Sequence, residues 1–556
     1  MRPEAFDPEA FDPEAFNPEG HGSAGQVTGG EALVRALRAL DVEVAFGLPG
    51  VHNLAAWKAF GAGGPEDGPA SGVRLVGVRH EQTAGYAADG YARATGRLGV
   101  ALTTTGPGAA NVVAATGEAW SCHSPLLVIA TDIPTTMRRP GAYRGVLHET
   151  TDQASFFRPV TKAVVQVSRV EDLHADVVRA GRLAMRAPRR PVYLEVPTDL
   201  LSALVDVPAE VPDPVPAVLV TPVLDEVVAA LTGAERPLLW VGGGATAADA
   251  SDAVAAVAAR LGAPVLCSYG GRGLLPPDSP DLVPLPPHSR AAGDLWDAAD
   301  VVLVVGSDLD AMNTQGFRQP RPPVLLSLDL TPMVNMPADH HVQVDARDGL
   351  ELLASRLPAG ARPRWWQRPA GRPAMPFLDA LESALPDDAV VVADMCVAGY
   401  WYGGYGRVSR PRGLAYPVGW GTLGFGFPAA LGTSLSGRPT VAVVGDGGFL
   451  FACGDLATAA QESLPVTVVL VDDGGYGMLR YDFTKDGEQP VGTELEPPDF
   501  VALARAFRVD AVEVAVEGLG AAVAAGLASG RPNLVVVKAT YDPPPNTSPN
   551  WYRAKG

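Results

Sequence analysis

Cysteine is scarce: four residues in 556, at positions 122, 267, 396 and 453, with no Cys-x-x-Cys pair. That excludes a disulfide framework and points to a reducing compartment, so a cytoplasmic location is expected. Long apolar runs are missing too; none reaches the ~18 residues that a membrane helix needs. Basic residues are few, with 43 Lys and Arg against 62 Asp and Glu and a net charge of −19. A surface of that sign repels phosphate backbones and anionic lipid, so neither nucleic acid nor a membrane is an expected partner. What is there suits packed cores. The chain is 47% hydrophobic and 19% charged, which excludes wholesale disorder. Its length asks for about three domains.

Residues 3–17 repeat Pro-Glu-Ala-Phe-Asp almost perfectly three times. Proline at every fifth position breaks any helix, and the segment has neither the basic start nor the apolar centre of a signal peptide. Residues 1–25 therefore read as a disordered acidic tail. After it, short apolar strands alternate with helical periods in three blocks, residues 26–200, 221–357 and 374–541. Residues 204–222 and 358–373, rich in proline, read as linkers, and residues 542–556 as a surface segment. Strand–helix alternation predicts three doubly wound α/β domains, each with a parallel sheet covered on both faces.

The most specific chemistry lies in residues 440–477, TVAVVGDGGFLFACGDLATAAQESLPVTVVLVDDGGYG. A strand runs into Gly445-Asp446-Gly447-Gly448 and then a helix. Glycines at such a turn let backbone N–H groups approach a phosphate, and the helix start favours negative charge. A carboxylate there can hold Mg²⁺. The next strand delivers Asp472-Asp473-Gly474-Gly475 to the same sheet edge, with Asp473 27 residues after Asp446. Ligands of open α/β sheets bind at that edge.

This Gly-Asp-Gly, helix, strand and polar pair resembles the thiamine-diphosphate binding motif. The family ends it in Asn-Asn, where the second Asn and a carbonyl two residues later bind the metal. The resemblance thus implies Asp446, Asp473 and the Gly475 carbonyl as Mg²⁺ ligands, with Gly445, Gly447, Gly448 and Tyr476 around the cofactor. Aspartate replaces asparagine at 472 and 473, so extra negative charge has to be compensated.

Residues 78–96, VRHEQTAGYAADGYARATG, resemble the Arg-His-Glu segment of the acetolactate synthase branch. Glu81 then matches the glutamate that shares a proton with N1′ of the aminopyrimidine, which lets the cofactor deprotonate its own C2. Alone, Glu81 would read as a first-turn acid on a helix dipole. FGLPG at 46–50, TTTGPGAANV at 103–112 and GWGTLGFGFPAALG at 419–432 are similar to the same branch. In the last, Gly421 matches the carbonyl that receives the 4′-amino group, and Leu423 the apolar prop that bends the cofactor. The halves of this site come from the first and third domains. In the family they belong to different subunits, so the resemblance implies a homodimer or homotetramer with the site at the interface.

The departures concern the substrate. Acetolactate synthases carry Gln-His-Gln-Met-Trp where this chain has Val397-Ala398-Gly399-Tyr400-Trp401, so diphosphate contacts have to come from elsewhere. Beyond Gly477 the chain reads Met478-Leu479-Arg480-Tyr481-Asp482, with Asp482 in place of a pocket tryptophan. Met478, Leu479 and Asp482 are the candidate substrate pocket, altered in size and charge. His148 aligns with a family glutamine and is a candidate proton donor or acceptor-orienting group, with a plain loop histidine as the alternative. Gly242-Gly243-Gly244 loosely matches a dinucleotide fingerprint, but no acid ends the following strand, at Cys267-Ser268-Tyr269, so NAD is not expected. Relatives carry FAD in this domain or nothing, and the sequence leaves that open. His340-His341 lack partners at metal-ligand spacing.

The resemblance implies decarboxylation of a small, pyruvate-like 2-oxo acid with carboligation to a second carbonyl. The alternative is a non-ligating decarboxylase or C–C hydrolase of the same superfamily. Benzoylformate-decarboxylase relatives place a histidine where this chain has Leu102. A silent scaffold would have no need of Glu81.

Overall fold

The computed structural model describes residues 26–61, 72–139, 141–207, 211 and 223–545. The acidic repeat and most of the final segment lie outside these residues. Three parallel sheets form the architecture. In the first domain the spatial order is Arg74–Gly77, Val44–Gly47, Gly99–Thr103, Leu126–Asp132, Val192–Pro197, Ala163–Gln166. In the third it is Leu414–Ala415, Val390–Ala393, Thr440–Gly445, Val466–Asp472, Asn533–Lys538, Asp510–Glu513. Numbered along each domain, both orders are 2-1-3-4-6-5. The central domain has five parallel strands, with Pro237–Val241 and Val301–Val305 adjacent at its middle.

The expectation of three doubly wound domains holds. The central strands are Val- and Leu-rich and buried throughout, as parallel strands covered on both faces must be. The sequence reading misses the outer strands Ala163–Gln166, Leu414–Ala415 and Asp510–Glu513. These are only partly buried, so they lack a continuous apolar run. Part of the supposed first linker is also structured. Leu204–Val205 pairs antiparallel with Val27–Thr28 and ties the end of the first domain to its start. In the central domain the glycine loop is already committed: Gly242 N–H donates to Val305 O and Gly244 N–H to Gly306 O, each at 2.9 Å. Among the described residues no helix is long and apolar enough to cross a membrane.

One helix pair joins the first and third domains. Glu81–Thr95 starts at His80, whose ring nitrogen accepts from Gln82 N–H, and stops at Gly96 in the left-handed conformation. It packs against Gly426–Thr433 with backbones in contact. A Cβ on Gly90 would land on the Ala429 carbonyl, and one on Gly432 on the Ala87 carbonyl. Those pairings make the helices antiparallel. Glu81 thus sits at one end of the joint. Arg93, which donates to Tyr416 O at 3.1 Å, sits at the other.

Candidate active site

The C-terminal edge of the third sheet gathers three buried or half-buried aspartates. Asp446 opens the short helix Asp446–Phe449, Asp473 follows strand Val466–Asp472, and Asp394 follows strand Val390–Ala393. Burial pushes the Asp446 carboxyl up to about 6, with the charges of Asp473 and Asp472 adding to it and the Gly447 and Gly475 amides opposing. Burial also raises Asp473, against Arg480 and the Gly475 amide. Asp394 is pushed up to about 6 by burial, against the Met395 amide, which donates to its Oδ1 at 2.8 Å, and the pull of the Gly424, Phe425 and Gly426 amides. Asp394, Asp446 and Asp473 each keep one buried oxygen without a partner. Bare buried carboxylate oxygens are costly, and a hard divalent cation is the natural partner. Among the described residues no three His, Cys, Asp or Glu side chains form a metal-holding group. A cation here would rest on the Asp446 and Asp473 carboxylates and complete its shell with main-chain or ligand oxygens.

Around them the backbone is stripped of side chains. A Cβ on Gly447 would meet the Tyr476 ring at 2.7 Å, one on Gly448 the Asp394 Oδ2 at 2.9 Å, and one on Gly445 the Cys396 Cβ at 2.9 Å. Helix Val397–Tyr405 points its start into the same cleft, capped by Cys396, whose sulfur accepts from Gly399 N–H at 3.3 Å. The first amides of that helix can serve a diphosphate in place of the absent Gln-His-Gln side chains. Thr493–Leu495 backs the motif: Tyr476 N–H donates to Thr493 O at 2.8 Å and Leu495 N–H to Gly474 O at 2.9 Å.

The loop bearing Gly421 and Leu423 is held from the first domain. Gly421 has φ of +66°, and Leu423 is half-buried. Glu118, fully buried, brackets Gly421 by accepting from Trp420 N–H at 3.3 Å and Thr422 Oγ1 at 3.1 Å. Arg93 pairs with Glu118 at 3.4 Å and with Asp89 at 2.6 Å.

The three pocket candidates lie on helix Gly477–Lys485 and diverge. Met478 packs on the cluster that includes Val397, Ala398 and Trp401. Leu479 is exposed. Asp482 pairs with Lys485 at 3.1 Å, and after burial its charge is one of those that raise the Tyr400 phenol.

The corresponding edge of the first sheet carries Glu81 and His148. Glu81 is 6% exposed and accepts from Asn111 Nδ2 at 2.9 Å. Its Oε1 lies 3.3 Å from where a Gly108 Cβ would stand. His148 covers the same Gly106–Gly108 turn from the other side, with its Cβ 3.0 Å from a Gly106 Cβ position. Gln153 fixes that turn, accepting from Gly106 N–H at 2.6 Å while donating to Thr131 O and Tyr193 Oη. Burial, with Asp132 adding, raises the Glu195 carboxyl behind it.

Sequence reading overlooks three residues here. Asp394 had a signal, an acid ending a buried strand as Asp446 does. His52, whose ring meets that of His148 edge to face at 5.2 Å, had a weaker one, two residues beyond FGLPG. Glu118 had only its isolation as an acid in an apolar helix.

Three family models match the chain: the thiamine pyrophosphate enzyme N-terminal TPP binding domain over residues 27–156, the central domain over 224–353, and the C-terminal TPP binding domain over 394–537. The chain belongs to the thiamine pyrophosphate enzymes. Among curated relatives, a probable 2-ketoarginine decarboxylase, AruI, of Pseudomonas aeruginosa is 37% identical over 506 residues, 86% of this chain and 88% of the relative. The acetolactate synthase large subunit of Parasynechococcus marenigrum is 32% identical, covering 92% of this chain and 87% of that one. The isozyme 3 large subunit of Escherichia coli acetolactate synthase is 29% identical, over 95% and 97% respectively. A Rhodococcus jostii thiamine diphosphate-dependent 4-hydroxybenzoylformate decarboxylase shares the fold, with a TM-score of 0.78 over 93% of this chain and all of that one, at 24% identity. This thiamine pyrophosphate enzyme lies in the acetolactate-synthase-like branch, and its cofactor is thiamine diphosphate.

Proposed function

We propose that this thiamine pyrophosphate enzyme uses thiamine diphosphate and Mg²⁺ to decarboxylate a small 2-oxo acid and release the aldehyde. The observation carrying this reading is the pair of separated half-sites. One is an acidic glycine cradle with unpartnered Asp446 and Asp473 oxygens, and the other holds Glu81 and His148 against the Gly106–Gly108 turn. The cofactor supplies an electron sink for the carboxylate's bond. The protein supplies the rest. Asp446, Asp473 and the Gly475 carbonyl hold the cation. Gly445, Gly447, Gly448 and Tyr476 shape the cradle, Gly421 and Leu423 seat the aminopyrimidine, and Glu81 holds a proton at its N1′.

Glu81 and the Gly421 loop of one chain cannot both touch one aminopyrimidine. They stand at opposite ends of an antiparallel helix joint, and the twelve residues from Glu81 to Arg93 span ~18 Å. A second copy therefore completes each site. Exposed Val51, Leu54 and Leu147 in the first domain, and Trp420, Leu450 and Phe451 in the third, supply apolar surface for that contact. The active unit is a homodimer or a dimer of dimers.

Carboligation, acetolactate-synthase fashion, is the second reading. It is favoured by the near full-length similarity to the two acetolactate synthase subunits. The 37% relative favours simple decarboxylation and places 2-ketoarginine beside pyruvate among the donors to test. The test supplies thiamine diphosphate, Mg²⁺ and a panel of 2-oxo acids, measures CO₂, and identifies products by mass. Aldehyde in proportion to CO₂ supports decarboxylation, condensed hydroxyketone supports ligation, and absence of CO₂ with every donor overturns both.

A further inference from the structure

The central and third domains enclose a cavity of about 280 Å³ between them. That volume stands at the lower end of the ~300–1,000 Å³ usual for small-molecule pockets. One wall is the far end of helix Val397–Tyr405 and the chain after it, Gly403 to Val408. The other belongs to the central domain, where strand Val265–Cys267 ends and Leu282 pairs with Val265. Leu275, Leu282, Val283, Leu285 and four prolines from residues 277–287 make this wall apolar, and the proline rings stiffen it. The two domains touch closely beside it: a Cβ on Gly273, at φ of +87°, would land on the Arg410 carbonyl.

The cavity carries three guanidinium groups and one carboxylate. Arg372 pairs with Asp379 at 2.7 Å and with Glu382 at 3.0 Å, and Arg407 pairs with Asp387 at 2.6 Å. The second Glu382 oxygen accepts from Arg407 N–H at 2.8 Å, so that carboxylate is spent. Arg272 pairs with no carboxylate among the described residues. It donates to Tyr402 O at 3.1 Å and to the Gly403 and Gly406 carbonyls. Burial pulls its guanidinium below the ordinary range, opposed by Tyr402, Tyr269 and Cys267 ahead of Glu382. Closing a helix end against its dipole explains the three bonds. It does not explain why that charge lines an apolar chamber and has no acid of its own.

We infer that this cavity binds a small monocarboxylate with an apolar body, and that its occupant loosens the enzyme's hold on thiamine diphosphate. The carboxylate meets the Arg272 guanidinium, whose planar fork suits it. The body lies among Leu275, Leu282 and the prolines. Helix Val397–Tyr405 makes the connection. Its start, capped by Cys396, opens on the glycine cradle, and its end rests on Arg272. Its nine residues span only ~13 Å. A carboxylate on Arg272 competes with the Tyr402, Gly403 and Gly406 carbonyls for the same donors, which slackens the helix end. The amides at the helix start are those assigned above to the diphosphate. The coupling rests on that assignment; binding in the cavity does not.

Calorimetry on the full chain, with and without thiamine diphosphate and Mg²⁺, tests both halves. The probes are phenylacetate and its neutral counterpart, phenylacetamide. Phenylacetate binds once per chain, and phenylacetamide binds about 10–150-fold more weakly, the loss expected for one hydrogen bond to a charged group. Leu282→Trp fills the cavity without touching the helix end and abolishes binding. Arg272→Met removes the charge and levels the two probes. Because it also strips three carbonyls of their donor, Leu282→Trp carries the decision if Arg272→Met fails to fold. Asp446→Ala, which disables the cofactor cradle, leaves phenylacetate binding intact. In the parent, saturating phenylacetate weakens thiamine diphosphate binding by about 5-fold or more, the lower bound of common allosteric couplings. In Leu282→Trp it has no such effect. Parental phenylacetate affinity in Leu282→Trp overturns the site, and so does equal affinity of the parent for the two probes. Loss of phenylacetate binding in Asp446→Ala puts the ligand in the catalytic cleft and also overturns it. Phenylacetate bound in the cavity with unchanged cofactor affinity overturns the coupling. Parent that binds phenylacetate but no thiamine diphosphate sinks the cradle reading and leaves the cavity site standing.

Discussion

At the C-terminal edge of the first sheet stand two imidazoles, a glutamate and threonine hydroxyls. At the same edge of the third sheet, on the same strand order, stand three aspartates and a run of glycines. The central strands of the two sheets are alike in character, Val- and Ala-containing and fully buried. The loops are not. One set ends in groups that gain and lose protons, the other in oxygens suited to a cation and amides suited to a phosphate. Two copies of one scaffold thus present different side-chain chemistry at corresponding edges, and that division lies in the residues that follow the strands.

That division can be tested most severely on the acidic side. Asp446→Ala should abolish retention of thiamine diphosphate in gel filtration with Mg²⁺, whereas Asp473→Asn should retain it, because asparagine still offers an oxygen to the cation. Equal and complete loss in both variants would remove the distinction drawn between the two ligands.

On the proton-transfer side the expected effect is smaller but more specific. Glu81→Gln should leave folding and cofactor binding in place and lower turnover by about 10²–10⁴-fold. Slowed hydrogen–deuterium exchange at C2 is the deciding signal. Unchanged exchange would make Glu81 a helix-start acid and nothing more.

Glu118 links the two sides, since it belongs to the first domain but holds the Gly421 loop of the third. Glu118→Ala strips Arg93 of one of its two carboxylates in a buried site. Breaking a buried pair costs about 3–5 kcal/mol, and the remaining Asp89 should keep the loss near the lower figure. Calorimetric unfolding measures it, and weakened thiamine diphosphate binding should accompany it. Glu118→Gln, which can still accept from Thr422, should recover part of the binding.

The smallest effect is expected at Asp482. Its partner Lys485 lies one turn on at 3.1 Å, in a half-exposed pair. Such pairs contribute ~0–1 kcal/mol, so Asp482→Trp should barely alter stability. Any change should appear in product ratios, toward 2-acetohydroxy acids. An identical product profile would take Asp482 out of the pocket.

Much of this was readable without coordinates, for a physical reason. The Asp446 and Asp473 motif is local: one turn, one helix and one strand bring its ends together, so spacing along the chain stands in for distance. The central strands were readable because burial on both faces leaves an unbroken apolar run. What stayed hidden depends on distant partners. Glu118 meets Thr422 across 304 residues. His52 and His148 meet because two loops converge, and neither flanking sequence announces the other. The outer strands Ala163–Gln166 and Asp510–Glu513 escape notice because one side faces solvent and mixed residues suffice there.

The joint between helices Glu81–Thr95 and Gly426–Thr433 behaves as a keyed shaft. At Gly90 and Gly432 the missing Cβ atoms leave notches, and the carbonyls of Ala429 and Ala87 sit in them as teeth. Sliding either helix by one residue would bring a side chain against a tooth, Asp89 or Tyr91 in place of Gly90 and Leu431 or Thr433 in place of Gly432, and rotating it would strike the same obstacle. The first and third domains of one chain therefore turn together as a single lever. Glu81 is fixed to one end of that lever and the Gly421 loop, through Arg93 and Glu118, to the other. Relative motion within the chain is left to the short loops around the joint, while the distance between Glu81 and the Gly421 loop is set by the length of a rigid rod.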